Sequence, residues 1–196
     1  MKKQNLLSLA IATILVAASA HPVMAYTLLS PRRRWASTPV AVHVYTAGNS
    51  TINDGSGGVT AVVGAVKAWG IISSQTTSQP AVRGSAPATI TLNNNGNVCT
   101  GSCLAATLTS YYSGSTIYDA DIYTNTRYSY TSSKETDGCS GEYDIDGIMV
   151  HEVGHVIGLG HSSVTGATMY PSVSSCNYNN RTLESDDLAG KNDLYK

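Results

Sequence analysis

The residues of this chain that could carry chemistry are concentrated between Met149 and Pro171, in MVHEVGHVIGLGHSSVTGATMYP. This stretch holds three of the five histidines, His151, His155 and His161, together with Glu152. A spacing of four turns His155 only about 40° from His151 on a helix and raises it ~6 Å, so both imidazoles could bind one metal ion. Glu152 would point roughly 100° round the axis, where it could reach a metal-bound water but could not easily join both histidines as a ligand.

His161 can reach the same ion only if the helix ends before it. On a continuous helix it would lie ~9 Å further along and about 240° from His155. Gly158 readily adopts the left-handed conformation that ends helices, so we expect the chain to turn back there. Three neutral imidazoles favour Zn²⁺ and leave a fourth coordination position for water. Zinc would lower the pKa of that water to about 7 and polarise a carbonyl, with Glu152 as the general base.

Two alternatives remain open for this cluster. The histidines could be ordinary core or surface residues without a metal, or they could hold a structural zinc without catalysis. Glu152 occupies the position of a general base and no fourth protein ligand is apparent nearby in the sequence. These observations favour a catalytic site.

The elements that must position this cluster follow from the periodicity of apolar residues. Alternation predicts a half-buried strand at 38–46, and helical spacing predicts an amphipathic helix at 59–69. We interpret 88–92, 104–109 and 116–124 as further strands. Asp144 is expected to cap a helix running from Ile145 to about Ile157, and residues 125–142 to form an irregular loop. A last helix is expected to open at Ser185, whose hydroxyl would cap it and which is followed by two acidic residues that suit the helix dipole. This order indicates the α+β class.

Length and composition suggest one exported domain. Of 196 residues, 12 are Lys or Arg and 13 are Asp or Glu, so the net charge of −1 offers no basic surface for nucleic acid. Residues 1–25 have the layout of a signal peptide, with small-residue cleavage patterns ending at Ala20 and Ala25. An uncleaved membrane anchor is the alternative. We expect residues 26–196 to be a secreted, monomeric domain, extracellular or periplasmic and free of the membrane after signal removal.

The four cysteines suit an oxidising compartment. Their even number suggests two disulfides, of which we favour Cys99–Cys103 and Cys139–Cys176 among three possible pairings. A four-thiolate zinc site is the alternative. Such a site usually has two pairs of closely spaced cysteines, whereas here only Cys99 and Cys103 are closely spaced.

The pattern His151-Glu152-x2-His155-x2-Gly158-x2-His161, followed by Met169, resembles the metzincin clan of zinc peptidases. Within that clan, HSSVTGATMYP is most similar to the matrixins. The resemblance implies a zincin-like α+β fold: a twisted mixed sheet, two main helices above a cleft, and a small lower part with a Met-turn and the last helix. It also implies that residues 26–158 form the upper part, that 159–196 form the lower part, and that Met169 packs beneath the metal.

The resemblance further implies a function. It suggests a secreted zinc-dependent endopeptidase with one catalytic Zn²⁺, whose edge strand, resembling Leu104–Thr107, binds an extended peptide or protein. Added-strand pairing suits a peptidase because backbone hydrogen bonds hold any extended chain. The rival functions are a zinc-binding or adhesion module without turnover and a zinc hydrolase of cell-wall peptides.

Three features depart from the family pattern. No cysteine precedes Cys99, so we expect the latency device of the family, a prosegment cysteine on the zinc, to be absent. The second, structural zinc site of animal matrixins needs histidines that this sequence lacks. Ala106 and Asp121 occupy the nearest matching positions. Ca²⁺ binding near Asp119, Asp121 or Asp137 is conceivable, but scattered acids in loops are usually only solvated.

Overall fold

The computed structural model describes residues 25–52, 54–93, 98–132 and 138–196. Apart from Ala25, the predicted signal peptide lies outside the described residues. The strands and helices of the described residues are, in chain order, β1 (Arg34–Trp35), β2 (Val40–Tyr45), α1 (Val59–Ala65), β3 (Ile72–Thr77), β4 (Ala88–Thr91), β5 (Ala105–Tyr111), β6 (Thr116–Thr124), β7 (Tyr130–Thr131), β8 (Tyr143–Asp144), α2 (Ile145–Val156) and α3 (Ser185–Tyr195). Short 3-10 turns span Val66–Trp69 and Asn179–Arg181.

The main sheet is mixed, with strand order β1-β6-β4-β2-β3 and β5 paired to β6. Its pairs are parallel except β5–β6, which is antiparallel. The predicted α+β class with a mixed sheet is therefore confirmed. Among the described strands, β5 pairs only with β6 and so lies at one edge of the sheet.

The core lies between this sheet and helices α1 and α2. The alternating valines of β2 point inward, and Ile90 and Ile122 on neighbouring strands are fully buried beside them. Trp69 fills the space between the helices, and its indole N–H donates to the Val150 carbonyl of α2 at 2.8 Å. This packing fixes α2 against the sheet with β5 alongside, which matters because α2 carries the histidine pair.

The structure differs from the sequence-based prediction in three elements. The strand β3 was not predicted, because its sequence ISSQTT is polar and three of its six residues are exposed at the sheet edge. The predicted helix at 59–69 is α-helical only to Ala65 and then tightens into a 3-10 turn that ends at Gly70 in the left-handed conformation. The predicted loop at 125–142 contains the two-residue strand β7.

The start of the last helix also differs by one residue. The residue at the N-cap position of α3 is Glu184, whereas the sequence predicts a cap at Ser185. The Glu184 backbone N–H donates to the Asp187 carboxylate in the first turn at 2.8 Å. Glu184 therefore caps the helix, and Ser185 is its first residue.

The covalent links join the site region to its surroundings. Disulfides connect Cys99 to Cys103 and Cys139 to Cys176, which is the pairing favoured from the sequence. Glu142 lies beside the second disulfide, but because both sulfurs are bonded to each other, this cluster is no metal site. No helix in the described ranges is long and apolar enough to cross a bilayer.

Candidate metal and catalytic site

Helix α2 begins at a buried ion pair. The Asp144 side chain accepts a hydrogen bond from the Gly147 backbone N–H at 3.1 Å, as the predicted cap requires. Arg181 donates to both oxygens of the same carboxylate, at 2.6 and 2.8 Å, and also pairs with Asp146. The Asp144 cap stabilises the first turn of α2, and Arg181 connects this turn to a segment 37 residues further along the chain.

Helix α2 ends where the sequence predicts. Its last residue is Val156, and Gly158 has a φ of 105°, in the left-handed region. A Cβ on Gly158 would also lie 2.1 Å from the Arg33 carbonyl oxygen, so both the backbone angle and the available space require glycine.

The buried carbonyls at this helix end find partners from distant segments. The Trp35 indole donates to the Val156 carbonyl at 2.8 Å, and the Tyr195 hydroxyl to that of Ile157 at 2.7 Å. The Leu29 backbone N–H donates to the Gly158 carbonyl at 2.9 Å. An unpaired buried carbonyl would be costly. The turn toward His161 is thus stabilised by the first and last segments of the described chain.

The three predicted histidines converge after this turn. The ring centroids of His151 and His155 are 4.8 Å apart. The ring centroid of His161 lies 5.3 Å from that of His151 and 4.9 Å from that of His155. One ring nitrogen from each lies within 4.8 Å of the others. The structure therefore brings together all three imidazoles that the spacing selects.

Hydrogen bonds define the tautomer of two of these rings. His151 Nδ1 lies 2.7 Å from the Thr168 carbonyl oxygen, and His155 Nδ1 lies 2.8 Å from that of Leu159. A carbonyl only accepts, so each Nδ1 carries the hydrogen and each neutral ring has its lone pair on Nε2. Burial lowers the pKa of both rings to about 4, and burial also lowers the pKa of His161.

Glu152 lies beside the histidines and is almost completely buried, with 6% of its surface exposed. Its Oε2 accepts a hydrogen bond of 2.5 Å from the Thr107 hydroxyl on β5. Burial raises the pKa of this carboxyl, while nearby His155 and the Thr107 hydroxyl act in the opposite direction. Thr107 lies within the edge strand recognised from the sequence, but no local pattern indicates that its hydroxyl meets Glu152, 45 residues away.

Met169 forms a packed floor behind the histidine helix. It is 1% exposed, and a Cβ on Gly154 of α2 would lie 2.1 Å from its sulfur. The Met169 carbonyl accepts from the Ser162 N–H at 2.8 Å, which ties the turn to the segment carrying His161. Met169 therefore packs against α2, the helix that carries His151 and His155, and its predicted place beneath the metal stays a prediction.

Two carboxylates of α3 hold this floor in place, a role that the sequence analysis missed. Asp187 accepts from the backbone N–H groups of Thr168 and Met169, at 2.8 and 2.9 Å. Asp186 accepts from the Ser162 hydroxyl at 2.7 Å and from the backbone N–H of Ala25 at 2.8 Å. Both side chains are buried, so they serve as internal anchors in addition to any effect on the helix dipole.

A cavity of about 440 Å³ opens beside His151, Glu152 and His161. Its walls come from the start of β5, from α2, and from the segment after Met169, in which Tyr170 and Pro171 line it. The lining residues are Ser102, Cys103, Leu104, Ala105, Tyr143, Gly147, Ile148, His151, Glu152, His161, Tyr170, Pro171, Ser172, Val173 and Asn180.

Two of the three acids considered for Ca²⁺, Asp119 and Asp121, lie on a strand and not in a solvated loop. Asp119 and Asp121 are fully buried on β6, because their strand is covered on the face where both point. Asp119 accepts from the Gly84 backbone N–H at 2.6 Å, and burial, followed by the charge of Asp119, raises the pKa of Asp121 to about 7. Asp137 lies outside the described residues.

Comparison with known proteins decides the family. The family model described as Matrixin matches residues 92–196, just over half of the chain, including the histidine helix, the turn and α3. The chain belongs to the matrixin family. Membership implies zinc binding, and the cluster of three histidines is the metal-binding group that this matrixin offers within the matched range.

Named relatives support the same family. Over 52 residues the chain is 46% identical to metalloendoproteinase 4-MMP of Arabidopsis thaliana, covering 26% of this chain and 15% of that protein. It is 38% identical over 78 residues to metalloendoproteinase 1 of Glycine max, covering 40% and 24%. It is 40% identical over 60 residues to matrilysin of Rattus norvegicus, covering 31% and 22%. The matched stretches thus span a quarter or less of these relatives.

Proposed function

We propose that this matrixin is a secreted, zinc-dependent endopeptidase that hydrolyses peptide bonds. The observation that carries the proposal is the convergence of three imidazole nitrogens within 4.8 Å, with a buried carboxylate on the same helix. The similarity to proteins named metalloendoproteinases supports the reaction class.

The donor set fits zinc. His151, His155 and His161 would hold the ion, and the first two rings are anchored through Nδ1 so that Nε2 is free to coordinate. Burial keeps these rings neutral, which metal binding requires. When bound, zinc supplies a Lewis acid that polarises a carbonyl and lowers the pKa of a coordinated water.

Glu152 is the proposed general base. Its carboxylate would accept a proton from the attacking water and pass it to the departing amine. Burial, which raises the pKa of the carboxyl, makes Glu152 a stronger base than a solvated glutamate.

The substrate is proposed to be an extended peptide or protein chain. Within the described part of the chain the edge strand β5 pairs with β6, so the outer side of its first residues, Ala105–Thr107, is available for added-strand pairing beside Glu152. The adjoining cavity of about 440 Å³ has the size of a pocket for a substrate side chain. Export, the second part of the proposal, is supported by the signal-like N-terminus and the two disulfides.

Digestion of casein or gelatin by the purified protein, with and without a chelator, tests the function. We expect activity that the chelator abolishes and zinc restores. Glu152→Ala should retain one zinc per chain but lose on the order of 10²- to 10⁴-fold in kcat, because the general base is gone. Glu152→Gln, which keeps the shape, should be similarly impaired.

The outcome also separates the rival functions. Full activity of Glu152→Ala, or activity indifferent to the chelator, would contradict the mechanism. Zinc binding without hydrolysis of any peptide would favour a binding or adhesion module. Turnover of peptidoglycan peptides but not of casein or gelatin would favour a cell-wall hydrolase.

A further inference from the structure

The Thr107 side chain connects the edge strand to the proposed base. Its hydroxyl lies 2.5 Å from Glu152 Oε2 and 3.1 Å from the Glu152 backbone carbonyl oxygen. A hydroxyl has one hydrogen to donate, and the shorter distance to a carboxylate oxygen identifies Oε2 as its main acceptor.

A carboxylate this deeply buried depends on its partners for orientation. Among the described residues, Thr107 is the side chain that donates to the Glu152 carboxylate. With Oε2 engaged in this way, Oε1 is the oxygen left to exchange protons with a reacting group in the cavity that Glu152 lines. A carboxylate free to rotate would divide its time among orientations, and only some of them would suit proton transfer.

The geometry points to Thr107 as a positioning residue that holds Glu152 through Oε2 and presents Oε1 for proton transfer. This inference rests on the proposed function, since it assigns a task to a residue that acts through the general base. Thr107 itself need not touch the substrate with its hydroxyl.

The neighbouring Thr109 offers a matched comparison on the same strand. Residues two apart on a strand share a face, and the β5–β6 register is regular from residue 105 to residue 110. The Thr109 hydroxyl lies 3.4 Å from Arg33 Nη1 and not at Glu152. The same substitution at both positions therefore separates loss of the Glu152 contact from a general effect of altering β5.

The experiment compares Thr107→Val, Thr107→Ser and Thr109→Val with the wild type, using a peptide substrate and zinc-loaded protein. Because a hydrogen bond to a charged group is lost, Thr107→Val should reduce kcat on the order of tenfold to a hundredfold, with KM and zinc content unchanged. Thr107→Ser should recover most of kcat. Thr109→Val should keep kcat within about twofold of the wild type. If Thr107→Val does not fold, Thr107→Ala replaces it, since it also lacks the hydroxyl.

A second readout does not depend on activity. In crystals of metal-free protein, the wild type should have Glu152 in a single rotamer with Oε2 on the Thr107 hydroxyl. Thr107→Val should have Glu152 in more than one rotamer or in a different one.

The possible results distinguish this inference from the function on which it rests. If the wild type hydrolyses peptides, Glu152→Ala does not, and Thr107→Val retains wild-type kcat, the inference is overturned while the proposed function stands. An equal loss in Thr107→Val and Thr107→Ser would also overturn it, because the hydroxyl would then be irrelevant. An inactive wild type, or an active Glu152→Ala, would overturn both.

Discussion

At the residue scale, the site combines groups whose ionisation is set by burial. His151 and His155 have pKa values lowered to about 4, so they stay neutral at the pH at which they would bind a metal. The pKa of Glu152 is raised, also by burial. Removing these side chains from water thus prepares both a neutral ligand set and a basic carboxylate.

The histidines should make the metal-free protein sensitive to acid. Their folded pKa of about 4 lies below the ordinary value of 6.5, so the unfolded chain binds more protons than the folded one between these values. Their contribution to stability is therefore present above pH 6.5 and is lost as the pH falls toward 4. Urea unfolding in the presence of a chelator, at steps from pH 7.5 to pH 4, measures this loss.

A variant isolates this effect from acids that titrate in the same range. Asp121, with a pKa raised to about 7, acts with the opposite sign, because its protonation favours the folded state as the pH falls. The free energy of unfolding of the wild type should therefore be compared with that of His151→Gln/His155→Gln at each pH. A difference between the two proteins that stays constant from pH 6.5 to pH 4 would contradict the prediction.

The packing of Met169 leads to a prediction for glycine in α2. Gly154→Ala would bring a Cβ to 2.1 Å from the Met169 sulfur and 2.9 Å from the Trp69 ring, so we expect a loss of about 2 kcal/mol from overpacking. Gly64→Ala in α1 is the control: its Cβ meets nothing within 4 Å, and helix propensity should stabilise the protein by about 0.5–1 kcal/mol. Chemical unfolding of the two variants measures both changes, and equal effects would count against the tight contact.

At the element scale, α3 works as a brace for the turn beneath the histidines. Asp187→Ala would leave the backbone N–H groups of Thr168 and Met169 buried without an acceptor, so we expect a loss of about 3 kcal/mol in the free energy of unfolding. Thr168 also provides the carbonyl that orients His151, so zinc affinity should fall as well. Calorimetry and competition with a chelating dye measure the two effects.

Another acid on the same helix serves as the control. Asp193 pairs with Arg32 and accepts a hydrogen bond from the Tyr26 hydroxyl at the surface, where all of these contacts are exposed. Asp193→Ala should cost less than about 1 kcal/mol, as is usual for exposed ion pairs. If the two substitutions were equally costly, the brace would not depend on the buried contacts of Asp187.

At the scale of the whole molecule, the first described residues close over the last part of the chain. The Thr27 carbonyl accepts a hydrogen bond from the Gly160 N–H at 2.8 Å, and the Thr27 hydroxyl donates to the His161 carbonyl at 2.7 Å. Leu28 and Leu159 form an antiparallel bridge between the same two segments. The N-terminal segment thus pairs with residues on both sides of residue 158, where the sequence predicts the division into upper and lower parts. That division stays a prediction.

Removal of this segment should weaken the metal site. We expect the zinc affinity of a protein lacking residues 26–30 to fall on the order of tenfold or more. Contacts that orient metal-ligating residues without touching the metal have effects of this size. Competition with a chelator measures the affinity. Thr27→Val, which loses only the hydroxyl contact, should have a smaller effect. An unchanged affinity after the deletion would mean that α3 alone holds the His161 segment.

Much of the site follows from local rules that the sequence displays. Four-residue spacing on a helix, an aspartate at its start and a glycine at its end predict α2, and with it the convergence of His151, His155 and His161. The strand predicted over residues 116–124 is likewise present, as β6, with the same bounds.

The tertiary structure alone decided which distant residues complete the site. Thr107 meets Glu152 across 45 residues, and Asp187 meets Thr168 across 19, because β5 and α3 pack against α2 and the turn after it. Neither contact leaves a periodic trace, since a single hydroxyl or carboxylate suits many surface positions equally well. The polar strand β3 escaped prediction for a related reason: its pairing with β2 is a property of the sheet and not of its own six side chains.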